Sequence, residues 1–475
     1  MKLFDIEVTG ITDDSRELKA GNVFVCIKGD SFDGHDAARE MLEKGAVAVV
    51  AERDLGLEKQ VIVQNTRKEL AKLASEFYGN PTKNLKLIAA TGTNGKSTVI
   101  ALIKHILETQ GSKVASIGTV GYDVVGKIYE AKLTVPRQTE LYKLFREAVD
   151  NGAEYCVVEA SSQALAQDRF GEEVFAFECA VFTNLTQDHL DWHGTMENYF
   201  LAKRALFDMT KSAVVCIDDK YGEKLVKYIQ SEYDYPVLTY SAKDFADSYA
   251  VNIKSSGAGV SYWFSSAKEE KSFPLKLAMP GLYNVANSIA AISACVQLGI
   301  PLDKAVGALE NFKGVRGRSE VIYDGEFTVI CDYAHTEDAL VKILSSIKQF
   351  TTGGSRLICV FGAPGERDVA KRPLMGKAAD KHADYIIITS DNPRFEDENE
   401  IIEQVAAGIK NTPFEKFTDR KEAIHAAVKI ARKGDIIALC GKGHETYQAI
   451  RGEDLPFDER EIVLNAVGDD GNRPD

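Results

Sequence analysis

Short apolar runs alternate along the chain with stretches whose apolar residues fall at helical spacing. Up to about Lys86, the runs Val23–Ile27, Ala46–Ala51 and Gln60–Val63 predict strands, accompanied by two helices. Leu70, Leu73, Ala74 and Phe77 fall at i, i+3, i+4 and i+7, which predicts an amphipathic helix, and Gly79 suits the position just past its end. A second stretch opens with Leu85–Ala90 and alternates strands with helices. A third does the same, with strands predicted at Thr328–Cys331, Arg356–Phe361, Tyr385–Thr389 and Asp435–Cys440. Apolar strands separated by helices predict parallel sheets covered on both faces. Such sheets bind ligands at the carboxyl ends of their strands. Two breaks divide the pattern, Gly79-Asn80-Pro81-Thr82 and Gly314-Val315-Arg316-Gly317-Arg318. No repeat or low-complexity tract is visible, and the polar tail Gly468–Asp475 reads as frayed.

The length of 475 residues agrees with two to four domains, at ~100–200 residues each. The 45% hydrophobic and 27% charged fractions exclude a disordered chain or a small disulfide scaffold. The 57 basic and 71 acidic residues give a net charge of −14, which argues against nucleic acid or an anionic membrane as the main partner. Among the eight cysteines none forms a CxxC pair and most lie in apolar runs, so they read as buried reduced thiols. The start MKLFDIEVTG has no signal-peptide core, and no apolar run approaches the ~18 residues of a membrane span. A soluble cytoplasmic protein is expected, with no membrane insertion.

The sharpest local signal is Leu87-Ile88-Ala89-Ala90, then Thr91-Gly92-Thr93-Asn94-Gly95-Lys96-Ser97-Thr98, then an apolar helix to Glu108. Strand, glycine-rich turn and helix follow in the order a phosphate loop needs. Gly92 and Gly95 let backbone N–H groups approach phosphate oxygens, and the helix start adds its positive dipole end. Lys96 is expected at the β- and γ-phosphates and the Ser97 hydroxyl on Mg²⁺. Ala90 stands where the longer form of the motif has a glycine. Such a loop alone does not choose among kinases, motors, transporters and ligases.

Further on, Glu159 ends the apolar run Tyr155–Val158, where a carboxylate holds Mg²⁺ or caps a helix. The segment Thr183–Gly194 places Asp188, His189, Asp191 and His193 after an apolar strand. That cluster suits metal, nucleotide or both, though not a structural zinc. Lys203, in Tyr199–Phe207, reads on composition as a solvated helix residue.

Ten motifs in order resemble those of the Mur ligases: TGTNGKS, EASSQAL, TNLTQDHLDWHG, YFLAKRALF, GLYNVAN, GVRGRSE, CDYAHTEDAL, GERDVAKRPLMG, SDNPRFED and GKGHETYQ. The resemblance runs from Asp14-Ser15-Arg16 to Gln448. It implies an α/β chain of three domains. Residues 1–86 would form a small mixed α/β domain holding UDP. Residues 87–317 would form a central P-loop domain with a parallel sheet holding ATP. Residues 318–475 would form a Rossmann-like domain holding an amino acid. It also implies an ATP-dependent ligase acting on UDP-N-acetylmuramoyl-L-alanyl-D-glutamate. ATP would phosphorylate the D-glutamyl carboxylate, and the amine of the incoming amino acid would displace phosphate.

The same resemblance implies residue roles. Gly92, Thr93, Asn94, Gly95, Lys96, Ser97, Thr98, Asn287 and Arg318 would hold ATP, with His189, Asp332 and His335 beside it. Ser97 and Glu159 would hold one Mg²⁺, and Lys203, carbamylated by CO₂, a second. An unmodified ammonium there would repel the metal, so carbamylation inverts the local charge. Ser15, Gly29, Asp30, Ser31, Thr134, Val135, Ser161, Gln167 and Arg169 match positions on the UDP-sugar peptide, Arg169 as partner of an anion. Arg367 matches the residue for the α-carboxylate of the amino acid. Asp391-Asn392-Pro393-Arg394, with Gly441 and Glu445, matches selection of meso-diaminopimelate. Lysine would leave Arg394 without its carboxylate, at about 2–5 kcal/mol.

Three positions depart from the family. Gln163 stands for a histidine near the second Mg²⁺, and an amide oxygen is still a competent ligand. Val135 replaces a polar residue, which leaves only its backbone to bond. Ala363-Pro364-Gly365 replaces a small Cys/Gly-rich turn. meso-Lanthionine carries the same end groups as diaminopimelate and stays open as the amino acid. L-lysine, a P-loop ATPase without ligase activity, and a nucleotide-sugar binding protein without turnover are the other readings. A monomer is expected.

Overall fold

A computed structural model describes residues 2–3, 6–29, 32–171, 174, 176–256, 259–351 and 353–470. The chain divides into two compact units, Met1–Tyr249 with Ser288–Ala308, and Ala250–Asn287 with Leu309–Asp475.

The first unit contains a two-stranded ladder, Lys2–Leu3 with Ile6–Glu7, and two larger sheets. Strands Gly10–Thr12, Asn22–Val25, Ala48–Ala51 and Gln60–Ile62 pair in that order, all parallel. The helix Thr66–Phe77 buries Leu70, Leu73 and Ala74 as the spacing predicts, and Asn65 caps its start by accepting from Arg67 and Lys68 N–H. Eight successive strands of the second sheet are ordered Lys127–Tyr129, Gly121–Val124, Val114–Gly118, Tyr155–Glu159, Lys86–Thr91, Cys179–Phe182, Ala213–Cys216 and Val237–Ser241. From Val114–Gly118 onward the pairing is parallel. Lys86–Thr91 sits in the middle of this sheet, with Ala90 paired to Glu159 and Thr91 to Phe182. Alternate side chains from one face, among them Leu87, Ala89, Val158 and Phe182, feed one apolar core. The helix Gln138–Asp150 contributes Leu141, Tyr142, Phe145 and Ala148 to it.

The two sheets are tied by polar contacts as well as by the short turn Pro81–Asn84. The buried Gln138 amide donates to the Arg67 and Asp168 carbonyls, both at 2.8 Å, and Arg137 donates to Asp14 at 3.1 Å. The composition break near Lys86 is therefore not a loose hinge in space. Both sides of it belong to one compact unit.

In the second unit six strands are ordered Glu320–Asp324, Thr328–Asp332, Ile436–Cys440, Leu357–Phe361, Tyr385–Thr389 and Phe414–Phe417. The first pair is antiparallel and the rest are parallel. Asp332 and Phe361 both pair with Cys440, so these strands finish level with one another. Two hairpins, Gly259–Ser266 with Lys271–Leu277 and Tyr447–Ile450 with Glu453–Pro456, were not legible in the apolar pattern. Residues 447–456 are at least partly exposed throughout, which leaves no apolar face to read. Gly468–Asp470 close the helix Glu459–Asp470, and the rest of the tail lies outside the described residues. All eight cysteines are free and buried. Among the described residues no helix is long and apolar enough to cross a membrane.

Phe145 is fully buried between the helix Gln138–Asp150 and the central sheet. Phe145→Ala should destabilise the first unit by about 3–5 kcal/mol, read as a lower urea midpoint for its unfolding.

Candidate active site

The phosphate-loop expectation rests on the sharp turn between Lys86–Thr91 and the helix Lys96–Thr109. Gly92 has φ +148° and Gly95 φ +90°, conformations that a side chain resists. A Cβ on Gly92 would lie 1.9 Å from Thr183 Oγ1. The helix starts at Gly95 with no side-chain cap, so its first N–H groups face the loop. The segment after Cys179–Phe182 staples the loop. Thr183 Oγ1 donates to the Asn94 carbonyl at 2.6 Å, and Asn184 exchanges side-chain bonds with Asn94 at 3.0 and 3.1 Å. Thr186 N–H donates to Thr93 Oγ1 at 3.0 Å. Thr183, Asn184 and Thr186 were missed as site residues. Their position in the TNLT stretch, directly after an apolar strand, was the available signal.

Two lysines meet at one carbonyl. Lys96 Nζ donates to the Gly92 and Thr93 carbonyls, both at 3.0 Å. Lys203 Nζ donates to the same Gly92 oxygen at 2.8 Å. Lys203 is 1% exposed, which overturns the solvated-helix reading. Its nitrogen also lies 4.6 Å from the centre of the Tyr199 ring. Burial, and after it the Lys96 charge, pushes the Lys203 amine well below its ordinary pKa.

Glu159 ends its strand buried, beside the loop strand. Thr119 N–H donates to its Oε1 at 2.8 Å and Thr119 Oγ1 to its Oε2 at 3.2 Å. Thr119 in turn contacts Thr134 Oγ1 at 3.1 Å. Ser97, at the second position of the loop helix, is also buried. Among the described residues no three His, Cys, Asp or Glu side chains cluster as a metal site. An oxygen donor set of Ser97, in the first turn of the loop helix, and Glu159, at the end of the strand beside Lys86–Thr91, nevertheless fits a hard cation such as Mg²⁺, which keeps much of its water. Gln163 is half-buried in the helix Ser162–Ala166, whose cap is Ser161 Oγ accepting from Ala164 N–H at 3.2 Å. His193 is buried with Nε2 2.9 Å from Ser162 Oγ, whereas His189 lies exposed at φ +51°.

Of the positions matched to the UDP-sugar peptide, Asp30 and Ser31 lie outside the described residues. Ser15 is half-buried and Gly29 exposed. Arg169 donates to Gln167 Oε1 through Nε (3.0 Å) and Nη2 (2.8 Å), and through Nη1 to the Val135 carbonyl. So Val135 does bond through its backbone, to Arg169. Burial first, then the Arg137 and Arg67 charges, lowers the Arg169 pKa, which marks a strongly positive corner. Asp13 titrates above the usual carboxylate range there, chiefly because it is desolvated.

In the second unit the strand ends carry the remaining candidates. Asp332 accepts from Ser319 N–H (2.7 Å) and Ala334 N–H (2.9 Å), and burial raises its pKa despite the Arg318 charge. The Arg318 guanidinium stacks over Tyr333 at 4.8 Å. His335 Nδ1 lies 2.7 Å from the Tyr333 carbonyl, with the ring exposed. Asn287 is buried and donates to Asn284 Oδ1 at 3.1 Å.

Asn392, Gly441 and Glu445 converge. Asn392 Nδ2 donates to Glu445 Oε2 at 2.9 Å, and the buried Lys442 ammonium donates to both Asn392 Oδ1 and Glu445 Oε2 at 2.7 Å. Lys442 was missed, although it lies inside the GKGHE stretch. Gly441 N–H donates to the Asp332 carbonyl at 3.0 Å. Asp391 Oδ2 is buried without a hydrogen bond among the described residues. The Ala363–Gly365 turn reaches this group, since Gly365 N–H donates to the Asn392 carbonyl at 2.9 Å. Pro393 leads to Arg394, at φ +56°, whose N–H donates to Ala449 at 2.9 Å. Arg367 is exposed.

Three segments match family models in order: residues 7–78 the Mur ligase family catalytic domain, 90–295 the Mur ligase middle domain, and 317–443 the Mur ligase glutamate ligase domain. A UDP-N-acetylmuramoyl-L-alanyl-D-glutamate--2,6-diaminopimelate ligase of Clostridium botulinum is 42% identical, across 97% of this chain and 95% of that protein. The chain belongs to the Mur ligase family. A ligase of the same name from Caldanaerobacter subterraneus is 44% identical, across 98% of this chain and 96% of that one. A solved structure bearing this name superposes with a TM-score of 0.72 at 34% identity, covering 98% and 96% of the two chains. MurF from Acinetobacter baumannii, at 18% identity and a TM-score of 0.64, shares the fold. As a Mur ligase the chain has the three-domain α/β architecture of the family and is an ATP-dependent, ADP-forming ligase of peptidoglycan precursor synthesis that uses Mg²⁺.

Gly92→Ala should weaken ATP binding by roughly tenfold or more in calorimetry while leaving the second unit's melting unchanged, because its Cβ displaces Thr183 from the loop.

Proposed function

We propose that this Mur ligase joins meso-2,6-diaminopimelate to the D-glutamyl carboxylate of UDP-N-acetylmuramoyl-L-alanyl-D-glutamate. The identity of 42–44% over nearly the full length of two enzymes so named carries this reading. The Asn392–Lys442–Glu445 network beside Arg394 supports it. Residues 1–86 bind the uridine diphosphate, 87–317 the ATP and 318–475 the amino acid. The protein works as a cytoplasmic monomer.

A carboxylate is a poor electrophile because its oxygen leaves badly. Taking the γ-phosphoryl group of ATP turns one carboxylate oxygen into a good leaving group. The amine of the incoming amino acid then attacks the acyl carbon, phosphate departs, and an amide bond remains. Bringing two anions together needs local positive charge and fixed geometry. Lys96 sits on the loop to supply the charge, and the N–H groups before the helix Lys96–Thr109 cradle the phosphates. Mg²⁺, held by Ser97 and Glu159, neutralises phosphate charge when bound. Arg169 orients the glutamyl end. His189 in the first unit, and Asn287, Arg318, Asp332 and His335 in the second, are the further residues assigned to ATP by their motifs. Arg367 binds the α-carboxylate of the amino acid and Arg394 its distal carboxylate. Glu445 and the Gly441 carbonyl bind the distal ammonium.

Lys203 is carbamylated in the active enzyme. Its lowered pKa favours the neutral amine, which is the form that adds CO₂, and the nearby Lys96 charge favours the resulting anion. The carbamate would supply a further oxygen ligand to a second Mg²⁺, for which the Gln163 amide is another candidate ligand.

Phosphate release with the UDP-linked dipeptide, adding diaminopimelate, lanthionine or lysine in turn, tests the reaction. Release should need the amino acid and should fail with lysine, and release indifferent to the amino acid would refute the ligase assignment. Arg394→Ala should raise the KM for diaminopimelate far more than that for ATP, and equal rises would make Arg394 structural. With isotopically labelled bicarbonate, wild type should show a carbamate signal by NMR that Lys203→Ala lacks. At fixed dissolved CO₂ the signal should grow with pH, beginning below the range of an ordinary lysine, since protonated amine cannot add CO₂. Lys203→Ala should lose nearly all activity.

A further inference from the structure

Beneath the second unit's site lies a buried ion pair that belongs to none of the ten motifs. Arg420 begins the helix Arg420–Ile430 and Glu459 begins the helix Glu459–Asp470. They are 1% and 2% exposed. Arg420 Nε and Nη2 both reach Glu459 Oε1, at 2.8 and 2.7 Å. Nη2 also donates to the Cys440 carbonyl at 2.9 Å, and Nη1 to the Ser390 carbonyl at 3.4 Å. The other Glu459 oxygen lies 3.2 Å from the Cys331 thiol, which is itself 3.4 Å from the Gly443 carbonyl.

Each anchor point directly precedes or belongs to a candidate motif. Ser390 precedes Asp391-Asn392-Pro393-Arg394, Cys440 precedes Gly441, Cys331 precedes Asp332, and Gly443 lies between Gly441 and Glu445. A peptide unit is planar, so a carbonyl fixed on residue i also fixes the N–H of residue i+1. The Cys440–Gly441 plane is held from both sides, its carbonyl by Arg420 and its N–H by the Asp332 carbonyl. A planar guanidinium sets two strand ends at a fixed separation, which the single-point ammonium of lysine does not. Burial opposes the Arg420 charge, but Glu459 and then Asp391 outweigh it and hold its pKa up. A buried ion pair contributes little net stability over apolar residues of the same size, so its energetic cost needs another return.

We infer that Arg420 and Glu459 are positioning residues that hold the Asp391–Arg394 and Gly441–Glu445 loops at the spacing that binds the incoming amino acid. This rests on the pocket assignment proposed above. The pair touches no substrate and acts through the two strand ends.

The test measures apparent KM for diaminopimelate, ATP and the UDP-linked dipeptide in wild type, Arg420→Lys and the paired variant Arg420→Met/Glu459→Leu, with thermal melting of each full chain. The lysine variant keeps the charge and loses the fork. The paired variant leaves neither charge unpartnered, so it should fold. In both, KM for diaminopimelate should rise about tenfold or more, while the other two KM values stay within about twofold. An unchanged diaminopimelate KM, equal rises for all three substrates, or a paired variant that fails to melt cooperatively would overturn the inference. A wild-type enzyme that ignores diaminopimelate would instead overturn the pocket assignment, and the inference with it.

Discussion

Lys96 and Lys203 place two nitrogens within 3.0 Å of the single Gly92 carbonyl oxygen. Two ammonium groups in that position repel each other in a medium that screens them poorly. The repulsion favours loss of a proton, and the fully buried Lys203 is the one whose pKa is driven down, by burial first and the Lys96 charge second. The rest of the nucleotide site is arranged around this constraint. Gly92 needs its left-handed turn to present the carbonyl. Thr183 and Asn184 hold the turn in place, and the strand end at Glu159 stands one register away. A loop that carries one firmly charged lysine can gather anions without excess self-repulsion.

The second unit solves a different problem. Three parallel strands finish level at Asp332, Phe361 and Cys440, and their terminal carbonyls have no further ladder partner. In a buried setting such groups need donors. Arg420 provides one to the Cys440 carbonyl and Gly441 N–H one to the Asp332 carbonyl, while Ser319 N–H serves the Asp332 carboxylate. The polar groups left over, Asn392, Lys442 and Glu445, satisfy one another and form the floor on which an amino acid would rest.

Much of this was legible in the chain. The apolar runs located the central parallel strands to within a residue or two, because strands buried on both faces carry an unbroken apolar signal. Glycine spacing located the phosphate loop, because only that residue tolerates its turns. Edge elements were not legible. The strand Glu320–Asp324 and the hairpin at 447–456 are half exposed and carry no period. Lys203 was misjudged on composition, since a helix of nine residues does not announce which side faces inward. Arg420 and Glu459 were invisible for a deeper reason. They lie 39 positions apart and meet only because two helix starts converge under one sheet. Pairings of that kind leave no mark on local pattern.

The eight cysteines bear on how the enzyme meets reactive small molecules. Burial drives the Cys26, Cys179 and Cys216 thiols away from the thiolate form, each pushed up to about 12. Nucleophilic attack and oxidation both start from the thiolate. The folded protein is therefore a poor target for cysteine-directed electrophiles. Alkylation of these thiols reports the opening of a domain rather than occupancy of the site.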